Sequence, residues 1–142
     1  MSVDFHIMPQ YGLVYIRFGP TANVPDSRAM LQSYLSHPDF CFGQSQLVDL
    51  SHVRDIKHDF VDFFKLQMFK ADVFRDNDVQ TMIMYYAPHE KAYEVARLCQ
   101  NSWNAIPSAV AIIQEDEAQS LSVLGLPHRS FAELLETTPE VG

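Results

Sequence analysis

The sequence predicts an α/β fold: one mixed β-sheet that begins with a hairpin, continues as parallel βα units and is packed with helices. Three observations carry this expectation. Two short β-rich segments, VDFHIM and GLVYIRF, flank the turn Pro9-Gln10-Tyr11-Gly12 and read as the hairpin. Three later apolar runs, SQLVDL, VQTMIMYYA and AVAII, read as strands. The segments between them have helical spacing, so consecutive strands are expected to be parallel and joined by right-handed crossovers.

The elements can be justified in order. FGPTANVPDS reads as a connecting loop, with Pro25 suited to the first turn of a helix because its fixed φ is already helical. That helix presents Met30, Leu31, Tyr34 and Leu35 on one face. It should stop before His37-Pro38, since the residue before a proline is pushed out of the helical region. SQLVDL is short and flanked by polar residues, as a buried central strand is. A long helix is expected from near Asp59 to Phe74, then the strand VQTMIMYYA, then a helix starting at Pro88. In that helix Ala92, Val95, Ala96 and Cys99 fall at i, i+3, i+4 and i+7, a face directed at the sheet. AVAII is the last core strand. A helix follows from about Glu115 to near Gly125, and Ser130-Phe131-Ala132-Glu133 is a capping-box pattern opening a short helix with Leu134 and Leu135.

Composition limits the functional classes. With 142 residues, 47% hydrophobic and 20% charged, residues 1–142 read as one globular domain with its own core. A formal net charge of -8 and the lack of a Lys/Arg cluster argue against nucleic acid and against charge-driven binding to anionic lipid. MSVDFHIMPQ has no basic stretch leading into an apolar one, and a cytoplasmic location is the expectation. Cys41 and Cys99 have no C-x-x-C spacing and read as small apolar residues rather than a redox pair.

The element order, the strand ending in VDLS-x-V and a helix beginning about ten residues after Asp49 resemble a STAS domain. More closely, the chain is similar to the SpoIIAA-like proteins, relatives of the sporulation anti-sigma-factor antagonist. LVDLSHV and the lead-in HPDFCFG carry most of the resemblance, which covers nearly the whole chain. It implies a non-enzymatic regulatory or protein-interaction module. In phosphorylated members D-L-S-x-V is followed by D-S-S-G at the next helix, where a serine accepts phosphate. Counted without gaps, those positions here hold Lys57, His58, Asp59 and Phe60. No hydroxyl stands there, so serine phosphorylation does not carry over. Asp59 reads foremost as a helix N-cap, with Asp62 favoured in the first turn by the helix dipole.

No chemistry-bearing motif emerges elsewhere. Asp49, His52, Asp55, His58 and Asp59 could supply a His-Asp pair or a metal shell, but their spacing matches no metal motif. G-x-S-x-G, a P-loop, G-x-G-x-x-G and H-E-x-x-H are all missing; His89-Glu90 lacks the second histidine. No catalytic residue, metal or cofactor is therefore expected. The informative segment is DFVDFFKLQMFKADVF, residues 59–74, which is apolar nearly all round. Val61, Phe64, Met68 and Ala71 are expected on its buried face, leaving Phe60, Phe63 and Phe74 in excess of one sheet contact. The excess reads two ways. Either it packs between sheet and neighbouring helix, or it meets a partner: a protein, a second copy in a homodimer, an apolar small molecule or a membrane surface. His58, Asp59, Phe60, Phe63, Phe64 and Tyr86 are the candidate binding residues, with a pocket expected between Tyr86, His58 and Phe63 at the carboxyl end of the sheet. Trp103 reads as a lid on the core.

Overall fold

The computed structural model describes residues 3–57, 60–74, 79–104 and 106–136. Strands β1 (Val3–Met8), β2 (Leu13–Phe18), β4 (Ser45–Asp49), β6 (Thr81–Tyr86) and β7 (Ala109–Gln114) form one sheet in the order β1-β2-β4-β6-β7. β1 and β2 are antiparallel, whereas β2-β4, β4-β6 and β6-β7 are parallel. The expected mixed sheet is thus formed, with SQLVDL at its centre. A 3-10 turn over Pro9–Tyr11 joins the hairpin, and Gly12 closes it at φ 58° with its N–H donating to the Pro9 carbonyl. The left-handed conformation suits glycine because no Cβ is there to clash.

Strand side chains alternate between faces, which makes the domain three layers. One face (Val14, Ile16, Val48, Ile83 and Tyr85 among its residues) is covered by α1 (Val24–Leu35), α2 (Phe60–Phe74) and α3 (Glu90–Ser102). The other, with Leu13, Tyr15, Leu47 and Met84, is covered by α4 (Glu117–Val123) and α5 (Phe131–Glu136) through Leu121, Phe131 and Leu134. Residues buried in the two clusters touch opposite sides of the same strands. That is why the central strands are apolar throughout rather than alternating.

The helix ends follow local chemistry. Asn23 caps α1, its side chain accepting from the Asp26 N–H, and Pro25 lies in the first turn. Met30, Leu31 and Tyr34 are buried beneath it. α3 begins two residues later than expected: Pro88 precedes it and His89 is the cap, its Nδ1 accepting from the Ala92 N–H at 3.3 Å. α4 ends in a Schellman motif, with Leu126 N–H on the Leu121 carbonyl, Gly125 N–H on the Ser122 carbonyl and Gly125 at φ 79°. At α5 Ser130 Oγ accepts from the Glu133 N–H, but the Glu133 carboxylate takes the N–H of Arg129 rather than of Ser130. Glu117 also holds this end, accepting from the Phe131 N–H at 2.8 Å.

One expectation needs correction. The connection after β2 is not all loop: Thr21–Asn23 forms β3, which pairs in parallel with β5 (Asp55–Lys57) as a separate two-stranded ribbon. The Pro20 carbonyl starts this ribbon by accepting both Arg54 and Asp55 N–H groups. Among the described residues no helix is long and apolar enough to cross a membrane.

Candidate functional site: helix α2 and the space beneath it

The acid that ends the central strand is structural. Asp49 is buried, accepts a 2.5 Å hydrogen bond from the Tyr15 hydroxyl and takes the Ser51 N–H on its other oxygen. It faces the α4–α5 side of the sheet, whereas the chain then turns back through Leu50 and Val53, both fully buried. His52 and Asp55 are exposed on that turn. Among the described residues no three His, Cys, Asp or Glu side chains gather as a metal site would require. His89 ties the same turn to α3, because its Nε2 donates to the Ser51 carbonyl at 3.0 Å while Nδ1 caps the helix. The pairing uses both ring nitrogens, Nε2 toward the Ser51 carbonyl and Nδ1 toward the helix N–H. Sequence spacing suggested no such link, since Ser51 and His89 are 38 residues apart.

Of the candidate binding residues, His58, Asp59 and the side chain of Phe60 lie outside the described residues. The Asp59 cap, the replacement of glycine by phenylalanine and the His58 part of the expected pocket lie there too. Phe63 and Tyr86 do not share a pocket. Phe63 packs against the core under α1–α3, whereas Tyr86 packs on the opposite face, its ring 4.9 Å from Phe131. The sheet itself separates them. Tyr85 and Tyr86 do point to opposite faces, but both faces are covered by helices, so neither ring is free in solvent.

The orientation of α2 reverses the expected one. Leu66, Ala71 and Phe74 are buried, and Phe63, Phe69 and Val73 pack against them. Val61, Phe64 and Met68, expected to face the core, are instead 60%, 61% and 48% exposed. Of the expected buried quartet only Ala71 is inside. Phe74 is core as well, closing on Trp103 at 5.5 Å and on Phe42 at 6.2 Å. Trp103 does act as a lid: it is buried and its indole N–H donates to the Tyr85 hydroxyl at 2.9 Å.

Beneath α2 the packing is incomplete. A cavity of about 80 Å3 lies between α1, α2, α3 and the sheet, walled by Ile16, Met30, Val48 and Leu66 and reached by Gln46 and Lys70. A second space of about 50 Å3 shares Phe18, Ser27, Leu66 and Cys99 with it and continues toward Ile56 of the small ribbon. Lys70 sends its ammonium inward over the Trp103 ring, 4.6 Å from the centroid, with Ser102 Oγ at 3.5 Å. Burial pulls this ammonium below the ordinary lysine range; the same enclosure pushes the Cys99 thiol and the Tyr85 phenol up. A thiol held protonated is a poor nucleophile, which agrees with Cys99 as a core residue.

No protein-family model matches this chain, and no curated protein or solved structure matches it.

Proposed function

We propose that this chain is a STAS-like protein-interaction module, without the phosphoacceptor serine, that acts through the outward face of α2 and takes a second copy of itself as partner. The observation that carries the proposal is the apolar row Val61, Phe64 and Met68, spaced i, i+3, i+7 and turned to solvent. Single exposed apolar residues are ordinary, but a row along one helix face is what helix-to-helix association uses. The pattern is also self-complementary. Lys65 and Asp72 are exposed, seven residues apart, on the same flank of the helix, and bracket Met68. In an antiparallel two-fold pair centred near Met68, Lys65 of each copy meets Asp72 of the other. Such exposed pairs set orientation more than affinity.

Sedimentation velocity over a wide concentration range tests this. A reversible dimer is expected, reduced to monomer by Phe64→Asp. Lys65→Asp or Asp72→Lys alone should weaken it, and combining them should restore it. A wild-type monomer at every concentration, or a dimer untouched by Phe64→Asp, rejects the reading. A second reading, a carrier or sensor of a small apolar ligand, is favoured by one observation: the incomplete packing under the same helix.

A further inference from the structure

Two polar side chains that line the cavity, Gln46 and Lys70, stand among apolar neighbours. Gln46 stands mid-strand on β4, 6% exposed and lining the space, and its amide has no hydrogen-bond partner among the described residues. Apolar residues occupy the same face of that strand and its neighbours, with Val14 and Ile83 beside Gln46 in register and Val48 two positions on. A glutamine there turns its donor and acceptor toward the open space of the cavity, where a ligand or water can meet them and where a hydrophobic residue would offer neither. Lys70 reaches the same space, with Ser102 Oγ and the Trp103 ring beside its ammonium. It enters from α2, and the ion pairs among the described residues, Arg17–Asp4 and Lys91–Glu94, do not include it. In a chain of net charge -8, a cation directed inward onto an aromatic face rather than toward an acid has a counter-charge missing.

We infer that this cavity binds a small amphipathic carboxylate, an apolar body carrying one acidic group, received by the Lys70 ammonium and the Gln46 amide. A carboxylate accepts from both donors at once and neutralises one charge, the number the site supplies. A phosphate group would call for more cations than are present. The remaining wall, Ile16, Met30, Val48 and Leu66, takes an alkyl or aryl body. The volume sets the size. Two adjoining spaces of about 80 Å3 and about 50 Å3 are comparable with an apolar cavity of about 150 Å3 that holds benzene, so the body is one ring or a short chain, not a full-length fatty acid. Phe18, Ser27, Lys70 and Cys99 are only half-buried, so part of the wall lies at the surface, where a ligand can enter.

The site contains its own reporter, because Trp103 lines it and is the chain's one tryptophan. Full-length protein would be titrated with hexanoate and, separately, with 1-hexanol, following Trp103 fluorescence and the single indole N–H resonance. Hexanoate should give a saturable change, with 1-hexanol binding about tenfold more weakly or worse. Lys70→Met keeps most of the side-chain volume and removes the charge. It should lower hexanoate affinity by about tenfold, the scale of one charge-assisted contact, and leave 1-hexanol unchanged. Gln46→Leu, whose fold is checked by circular dichroism alongside, should weaken hexanoate by a smaller factor and serves if Lys70→Met does not fold. No saturable change in Trp103, equal binding of acid and alcohol, or hexanoate affinity untouched by a folded variant overturns the inference. The dimer measurement above is independent of all three outcomes.

Discussion

The two-faced character of α2 can be tested by one pair of substitutions, Phe64→Ala and Phe74→Ala. Both phenylalanines lie in the same helix, ten residues apart, and differ in exposure: 61% for Phe64 and 4% for Phe74. Complete burial of a phenylalanine side chain contributes about 1.5–3 kcal/mol, so the two-fifths that Phe64 hides contributes roughly 1 kcal/mol. Phe74 touches Phe42 and Trp103 and sits in the main core, where truncation leaves a cavity and costs about 3–5 kcal/mol. With a urea m-value on the order of 2 kcal/mol/M, Phe64→Ala should move the unfolding midpoint by about 0.5 M or less and Phe74→Ala by about 2 M. Urea titrations monitored by circular dichroism at a concentration below dimer formation keep association out of the comparison. Comparable losses for both variants, or a larger one for Phe64→Ala, would refute the outward placement of Val61, Phe64 and Met68, and the proposed interaction surface with it.

The other expectations concern the buried polar groups and the turns. Tyr15→Phe removes the hydroxyl that donates to buried Asp49, a hydrogen bond to a charged group, and should cost about 2–3 kcal/mol in urea unfolding. Lys70→Met should be neutral or stabilising without ligand, because it removes a buried charge without an acid partner; a loss above about 2 kcal/mol would count against the enclosed ammonium. Gly125→Ala should cost about 1–2 kcal/mol from backbone strain alone, since its φ is 79° and a Cβ would meet nothing within 4 Å. Gly43→Ala should cost about 1 kcal/mol more, because φ is 92° and the new Cβ would sit 2.6 Å from Val79 Cγ1, forcing that side chain off its rotamer. Stability should also fall as pH rises past about 9. Burial raises Cys99 above its ordinary 9.0 and Tyr15, Tyr34, Tyr85 and Tyr86 above 10.0, so the folded chain keeps protons that the unfolded chain has lost. Lys70 acts in the opposite sense between its lowered value and 10.5, but it is one group against five. Thermal midpoints measured from pH 7 to pH 11 that stay level would contradict this balance.

Much of the architecture was legible in the chain. Apolar runs such as SQLVDL and VQTMIMYYA can be buried only as strands or helices, and their shortness and flanking polar segments decide for strands. In α3 apolar residues fall on one stripe among Glu90, Lys91, Glu94 and Arg97, so the buried face Ala92, Val95 and Ala96 could be read from contrast alone. Gly12 and Gly125 marked turns because few other residues accept a left-handed backbone.

Where contrast was missing, only tertiary structure decided. α2 is apolar nearly all round, so its periodicity does not say which face is inside; packing against α1, α3 and the sheet turned Leu66 and Phe74 in and Phe64 and Met68 out. β3 and β5 are three residues each, too short to stand out locally, and exist through pairing across more than thirty residues of chain. Tyr86 and Phe63 seemed neighbours at one end of the sheet, yet strand alternation placed them on opposite faces with the sheet between. The meeting of Gln46, Lys70 and Trp103 around one cavity belongs to the same class. Local pattern determines which residues want to be buried, whereas which of them meet is set by how strands and helices from distant parts of the chain pack.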